Sequence, residues 1–144
     1  MSENQAPNKF IMQNVYLEDA SLEVKVPIHQ LDPATPLNRN VDYTVDHINE
    51  NNDYTVKFKA TVEVKANDKL ALIVEVTQAA NFTVEGYDND ALQVILKAEC
   101  PMILFPFLRE KVASLTANAG YPNLFLEPIN FHAQLANEQQ KNKS

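Results

Sequence analysis

The residues with the chemistry for catalysis or metal binding are few and widely spaced in this chain of 144 residues. It has one cysteine, Cys100, and three histidines, His29, His47 and His132. A catalytic cysteine needs a base within hydrogen-bond reach, and no histidine lies near Cys100 in the sequence. The cysteine and the histidines are also not spaced like the ligands of a metal site. Two glycines are too few to build a glycine-rich loop that binds phosphate. We therefore expect no catalytic site, no metal and no cofactor.

Carboxylates are the remaining groups that could act in acid–base chemistry. Asp88 and Asp90 precede a helical pattern. At the start of a helix, an acidic side chain can cap the free backbone N–H groups, and its negative charge interacts favourably with the positive end of the helix dipole. Asp19 and Glu23 fall on one face of a predicted strand, because side chains alternate along a strand. A solvated sheet surface is the plainest interpretation of that pair. The net charge of −7 argues against a nucleic-acid partner, which would require clustered lysine and arginine.

Four extended segments precede all the helical patterns: Phe10–Val26, Val41–Ile48, Tyr54–Lys65 and Leu70–Val84. The third alternates most regularly, and one apolar face with one polar face is typical of an antiparallel sheet. In the first segment, Phe10–Val26, alternation places Val15 and Leu17 on the same face as Asp19 and Glu23, and Tyr16 on the opposite face. In the fourth segment, Leu70–Val84, alternation places Ile73 and Glu75 on one face and Leu70 on the opposite face.

Helical spacing begins at about Ala91 and predicts a first helix that ends at Glu99, where Cys100-Pro101 interrupts it. A second helix runs to about Ala119, and Pro106 either lies in its first turn or kinks it. Gly120 is placed to end it in a left-handed conformation. Asn130 can cap a last short helix. Strands followed by helices predict an α+β fold, with the helices on one face of a four-stranded antiparallel sheet.

The length predicts one domain over residues 1–144, with mobile polar tails at residues 1–9 and 138–144. No run of 18 apolar residues occurs, so we expect no direct membrane insertion. The polar start has no signal-peptide core, and a lone cysteine suits a reducing compartment such as the cytoplasm. Two loops, Pro27–Asn40 and Tyr121–Pro128, are more apolar than turns require. They either bind a partner or pack on the protein's own core.

The region from Glu99 to Phe131 resembles the helix–loop–helix region of the SecB family of bacterial export chaperones. The residues that carry the resemblance are Cys100-Pro101, Ile103-Leu104-Phe105-Pro106-Phe107, Arg109-Glu110, Tyr121-Pro122, Leu124, Leu126, Pro128 and Asn130-Phe131. The resemblance continues more weakly across most of the chain. It implies a homotetramer, arranged as a dimer of dimers. It also implies binding of unfolded precursor proteins in apolar grooves and their delivery to the ATPase SecA, with no cofactor and no enzymatic activity.

The resemblance also implies two sets of site residues. The predicted SecA-binding residues are Asp19, Glu23, Ile73 and Glu75. The predicted client-binding residues are Leu31, Leu37, Val41, Tyr43, Tyr121, Leu124, Leu126 and Phe131. The chain departs from many relatives in having no tryptophan in the long loop, Ala79-Ala80-Asn81 in place of glycines, and a C-terminal end without acidic residues.

Two alternatives to export remain open from the sequence. SecB-like proteins also serve toxin–antitoxin systems, and the genomic neighbours would separate that role from export. The other alternative is an enzyme or small-ligand binder with a site near Cys100 or His132. It requires a pocket with convergent polar groups near Cys100.

Overall fold

A computed structural model describes residues 7–143 as an α+β fold with a four-stranded antiparallel sheet. The strands are β1 (Lys9–Val24), β2 (Leu37–Glu50), β3 (Asp53–Ala66) and β4 (Lys69–Glu85), in the spatial order β1-β4-β3-β2. The predicted fold class and strand number are confirmed. Strand β2 is longer than predicted, because Leu37 to Asn40 pair with β3 instead of belonging to the preceding loop. That loop holds one short 3-10 turn, Ile28–Gln30.

Strand β3 shows why one face of the sheet is the core. Its even-numbered residues from Val56 to Val64 are buried, and the residues between them, Lys57, Lys59, Thr61 and Glu63, are half-buried on the opposite face. The buried face packs against the helices, so we call it the helix face and the opposite one the outer face. The predicted alternation of β3 is confirmed. Asn67 and Asp68 both have positive φ, as the predicted tight turn to β4 requires.

Strand β1 departs from strict alternation, which corrects the prediction for its first half. Its register with β4 shifts between Met12 and Asn14 and again between Leu17 and Asp19. Each extra residue reverses the face on which later side chains lie. Val15 and Leu17 consequently pair with residues of the helix face, and Tyr16 lies on the outer face. The β3–β4 register also shifts, at Val64/Lys65, so that Leu70 pairs with Lys65 of the outer face.

The first two predicted helices form one continuous helix, so the predicted interruption at Cys100-Pro101 is wrong. Helix α1 (Asn89–Val94) passes through a π-helical segment (Ile95–Glu99) into α2 (Cys100–Asn118). The Cys100 N–H bonds to the Ile95 carbonyl, one residue further back than in an α-helix. This wider turn changes the backbone pairing just before Pro101, which has no N–H to donate. Pro106 lies inside α2 and does not start it.

The helix ends follow their predicted signals. The Asp88 carboxylate accepts a hydrogen bond from Ala91 N–H at 2.8 Å, and the Asn130 amide oxygen accepts one from Ala133 N–H at 3.0 Å. Gly120 has φ +82° and, with Tyr121, closes a Schellman motif on the carbonyls of Ala117 and Thr116. Helix α3 (Phe131–Lys143) is longer than predicted.

The predicted tails lie partly outside the described residues, at 1–6 and 144. Within the described part, Lys9 begins β1 and residues 138–143 continue α3. By length and composition, the helix Asn89–Asn118 could cross a membrane. In this fold it lies on the sheet, where its residues Leu104, Leu108 and Val112 are fully buried.

Candidate functional site

A groove runs between the helix face of β2 and an extended segment, residues 121–130, that links α2 to α3. Alternate residues of β2, from Leu37 to Val45, pair with helix-face residues of β3 and so form one wall. The extended segment forms the other wall, which we call the groove wall. Three adjoining cavities make up the groove. The side chains that line them include Leu37, Arg39, Val41, Tyr43, Val45, Phe58, Tyr121, Leu124, Phe125, Leu126, Glu127, Ile129 and Phe131, and the polar residues Asp42, Lys97, Asn123, Gln134 and Glu138.

The groove wall has no regular secondary structure, and its side chains divide between core and solvent. Tyr121, Leu124 and Leu126 are buried, whereas Phe125 is 51% exposed. Buried apolar side chains therefore fasten the segment to the domain, while Phe125 stays available at the surface. The prediction that this loop packs on the protein's own core is confirmed for the buried residues, and binding of a partner stays a prediction.

Three side-chain hydrogen bonds hold the backbone of the groove wall and its start. Thr116 Oγ1 accepts from Leu124 N–H at 2.9 Å, and Arg109 Nε donates to the Leu126 carbonyl at 3.0 Å. The Tyr121 hydroxyl donates to the Val26 carbonyl, just beyond the end of β1. The Arg109 guanidinium also lies 5.1 Å from the ring centroid of Phe125, within cation–π range.

One end of the groove is aromatic. The Phe131 ring centroid lies 5.5 Å from that of Phe58 and 6.1 Å from that of Phe105. Tyr43 extends this cluster from β2, with its centroid 5.6 Å from Phe58. Burial raises the pKa of Tyr43, and the nearby Glu127 carboxylate raises it further. The Tyr43 hydroxyl therefore stays protonated at neutral pH and can donate a hydrogen bond.

The structure brings seven of the eight predicted client-binding residues to this groove. Leu37, Val41 and Tyr43 are accessible on the β2 side. Tyr121, Leu124, Leu126 and Phe131 touch the groove but belong mainly to the buried core. Leu31 does not line the three cavities and packs, half-buried, against the core after the 3-10 turn.

Sequence reasoning missed Arg39, Phe125 and Glu127. Arg39 was missed because the sequence placed it in the loop before β2, whereas it pairs with Val64 and lies on the helix face. Alternation with the neighbouring Leu124 and Leu126 was the available signal for Phe125.

The four predicted SecA-binding residues lie together on the outer face. Glu23 is directly opposite Ile73, Glu75 is opposite Ser21, and Asp19 is opposite Thr77. Two of these carboxylates have lysine neighbours: Lys25 Nζ lies 2.7 Å from Glu23, and Lys59 Nζ lies 3.8 Å from Glu75. No ion pair involves Asp19 within residues 7–143. We call Asp19, Glu23, Ile73 and Glu75 the acidic face.

The residues considered for catalysis have unsuitable surroundings. Cys100 is fully buried, and burial raises the pKa of its thiol to about 12, with a smaller contribution from Glu99. A thiol is nucleophilic only when deprotonated, so Cys100 is inert at neutral pH. His132 Nε2 lies 3.4 Å from a Glu99 carboxylate oxygen at the start of α3. Within residues 7–143, no group of three or more His, Cys, Asp or Glu could hold a metal ion.

Comparison with known proteins agrees with this architecture. The family model described as "Preprotein translocase subunit SecB" matches residues 2–142. The Protein-export protein SecB of Nitrosococcus oceani is 35% identical over 146 residues, covering 99% of this chain and 89% of that protein. The protein of the same name from Hydrogenovibrio crunogenus is 33% identical, covering 98% of this chain and 95% of that protein.

The solved SecB-like chaperone Rv1957 of Mycobacterium tuberculosis, in complex with a ChAD peptide from the Rv1956 HigA1 antitoxin, shares the fold. Its TM-score is 0.71 at 18% identity, over 84% of this chain and 91% of that chain. The family match spans nearly the whole chain, and the two relatives exceed 30% identity over almost all of it. The chain therefore belongs to the SecB family of protein-export chaperones.

Proposed function

We propose that this chaperone holds unfolded precursor proteins as extended segments in the groove between β2 and the groove wall, and delivers them to SecA. The observation that carries the proposal is a half-open groove in which accessible apolar side chains, Leu37, Val41 and Phe125 among them, lie between polar ones. Burial of client apolar surface there is worth about 25 cal/mol per Å² and requires no particular client sequence. The family consists of chaperones rather than enzymes, so holding needs no chemical step.

The test replaces groove residues that are exposed and therefore not needed for folding. Leu37 is 38% exposed and Phe125 is 51% exposed, whereas Leu124 is buried and its loss would destabilise the fold. We expect Leu37→Ser with Phe125→Ser to weaken binding of a urea-unfolded precursor by about tenfold, because both apolar contacts are lost. The measurement is precursor aggregation after dilution from urea, followed by light scattering without nucleotide.

A matched control removes two exposed apolar side chains from the outer face. Ile11→Ser with Ile48→Ser takes away comparable surface, since both residues are at least as exposed as Leu37. We expect this control to hold the precursor as well as the parent protein does. Equal loss of holding in both double variants would show that the groove is not the client site.

Assembly and docking complete the proposal. Four copies would form a dimer of dimers, a common closed arrangement for proteins with self-complementary surfaces. The acidic face would bind a basic segment of SecA, and it lies on the opposite side of the sheet from the groove. Client and SecA could therefore be bound together. The cytoplasm, where precursors are made, is the proposed location.

The toxin–antitoxin alternative has less support than export. The relatives above 30% identity are named as protein-export proteins, whereas the likeness to the antitoxin-bound chaperone shows the fold alone. The enzyme alternative required a polar pocket at Cys100, and that side chain has no exposed surface.

A further inference from the structure

The exposed aromatic side chain of the groove wall, Phe125, borders two cavities. It lines the groove together with Val41 and Tyr43 of β2. It also lines a second cavity, which the groove wall forms with helix α2. Arg109 of α2 lines that second cavity and not the groove. The Phe125 ring therefore lies at the boundary between the groove and the cavity that contains the Arg109 guanidinium.

The backbone on both sides of Phe125 is hydrogen-bonded to α2. Leu124 N–H donates to Thr116 Oγ1 at 2.9 Å, and the Leu126 carbonyl accepts from Arg109 Nε at 3.0 Å. The two leucine side chains are buried. These contacts fix the path of the backbone at Phe125, but they leave its side chain free to change rotamer. A further contact is needed to hold the ring.

Arg109 makes that contact. Its guanidinium carbon lies 5.1 Å from the Phe125 ring centroid, within the range in which a cation is attracted to an aromatic face. Because its Nε–H is bonded to the Leu126 carbonyl, the guanidinium is anchored to the groove wall. No ion pair involves Arg109 within residues 7–143, so its charge is not paired with a carboxylate there. The ring is 51% exposed and keeps surface available for a client.

We propose that Arg109 is a positioning residue for client binding, which holds the Phe125 ring at the edge of the groove before a client arrives. Ordering a side chain during binding costs free energy, and a ring that is already ordered avoids that cost. The inference rests on the proposed client groove. It adds to that groove a residue that acts on the client only through Phe125.

The first measurement uses the absence of tryptophan from this chain. Phe125→Trp introduces a single tryptophan at this position, and an indole attracts a cation better than a phenyl ring does. In this background we expect Arg109→Gln to lower the anisotropy of the tryptophan emission and to increase its quenching by acrylamide, because the ring is no longer held. The circular dichroism spectrum should be unchanged, since glutamine can still donate a hydrogen bond to the Leu126 carbonyl.

The second measurement is a double-mutant cycle for binding of a reduced and alkylated, fluorescein-labelled α-lactalbumin, which stays unfolded without urea. In the parent protein, Arg109→Gln should weaken binding by roughly two- to fivefold, which corresponds to the loss of one exposed cation–π contact. In the Phe125→Ser protein, the same substitution should cause no further loss, because Arg109 then has no ring to hold.

Two further variants test the cause of the effect. Arg109→Lys should bind more weakly than the parent but lose less than Arg109→Gln, because it retains a charge near the ring without the planar guanidinium. It also keeps both measurements available should Arg109→Gln unfold. The control Lys111→Leu removes a positive charge from α2 at a residue that lines neither the groove nor the second cavity. It should leave binding and the tryptophan emission unchanged.

The outcomes separate this inference from the groove assignment. If Arg109→Gln leaves binding or the tryptophan anisotropy unchanged, or weakens binding equally in the Phe125→Ser protein, the positioning role is wrong. The groove assignment then stands, provided that Phe125→Ser alone weakens binding. If neither Phe125→Ser nor Leu37→Ser weakens binding, the groove assignment fails and the positioning role fails with it.

Discussion

Thr116 connects the main helix to the groove wall through a single hydroxyl. Its Oγ1 accepts a hydrogen bond from Leu124 N–H and donates to a carbonyl of the preceding helical turn, that of Val112 or Ala113. The residue is almost completely buried. A buried backbone N–H without a partner is costly, so this hydroxyl satisfies a group that no sheet or helix could satisfy.

We expect Thr116→Val to lower the free energy of unfolding by about 1–3 kcal/mol, because the buried Leu124 N–H loses its acceptor. The control Thr116→Ser keeps the hydroxyl and removes only a methyl group, so it should lower the free energy of unfolding by less. Urea unfolding followed by circular dichroism measures both. A smaller loss for the valine variant than for the serine variant would show that the hydrogen bond is unimportant.

Single residues also mark how far the sequence could predict the structure. Asp88, Asn130 and Gly120 were predictable, because helix caps depend on local backbone geometry and on the capping residue itself. The role of Thr116 was not, since its acceptor function depends on where the chain returns after Gly120. Arg39 was unpredictable for a related reason: only its register with β3 reveals its face.

Among the elements, β1 positions the acidic face. The second register shift lies between Leu17 and Asp19, so Asp19 and Glu23 both follow it and share a face by simple alternation. Glu18 lies at the shift and pairs with Lys57 of the outer face, its carboxylate 2.9 Å from that lysine. The bulge thus adds a neutralised carboxylate beside Asp19.

We expect Asp19→Lys with Glu75→Lys to abolish binding to SecA while the holding of unfolded precursors is unchanged. Exposed charge complementarity mainly raises the association rate and weakens with salt, so surface plasmon resonance at low salt is the appropriate measurement. The control Asp42→Lys with Asp46→Lys makes the same charge change on β2, whose acidic residues face the same side of the sheet. Equal loss of SecA binding in the control would indicate general charge attraction and not a defined docking site.

Elements whose pairing is regular were predictable, and irregular ones were not. The alternation of β3 and the turn at Asn67-Asp68 follow from residue types alone. The bulges of β1 have no residue-type signature in this sequence, so strict alternation misplaced Val15, Tyr16 and Leu17. Pro101 ordinarily indicates a helix end, but the π-helical segment before it allows the helix to continue.

For the whole molecule, the remaining exposed apolar surface suggests how copies associate. Met12, Leu17 and Val24 of β1 lie on the helix face at the sheet edge and are each about 40% exposed. Met102 and Phe107 are similarly exposed on α2. A monomer with this much accessible apolar surface on a sheet edge and its covering helix would be prone to associate.

We expect light scattering on a sizing column to give about four times the 16.2 kDa mass of one chain. Leu17→Lys should shift the protein to smaller species, because a charge at an apolar contact between copies is costly to bury. The control Ile48→Lys changes a more exposed residue of the outer face and should leave the mass unchanged. A parent protein that elutes as a monodisperse monomer at micromolar concentration would refute the tetramer.

The division of side chains along the groove wall has a consequence for how such a chaperone can evolve. Tyr121, Leu124 and Leu126 determine the path of the segment, whereas Phe125 and Glu127 contribute mainly surface. Substitutions at exposed positions usually change stability by less than about 0.5 kcal/mol. In the proposed client groove, selection could therefore alter the client preference one residue at a time, without first having to find compensating mutations elsewhere in the fold.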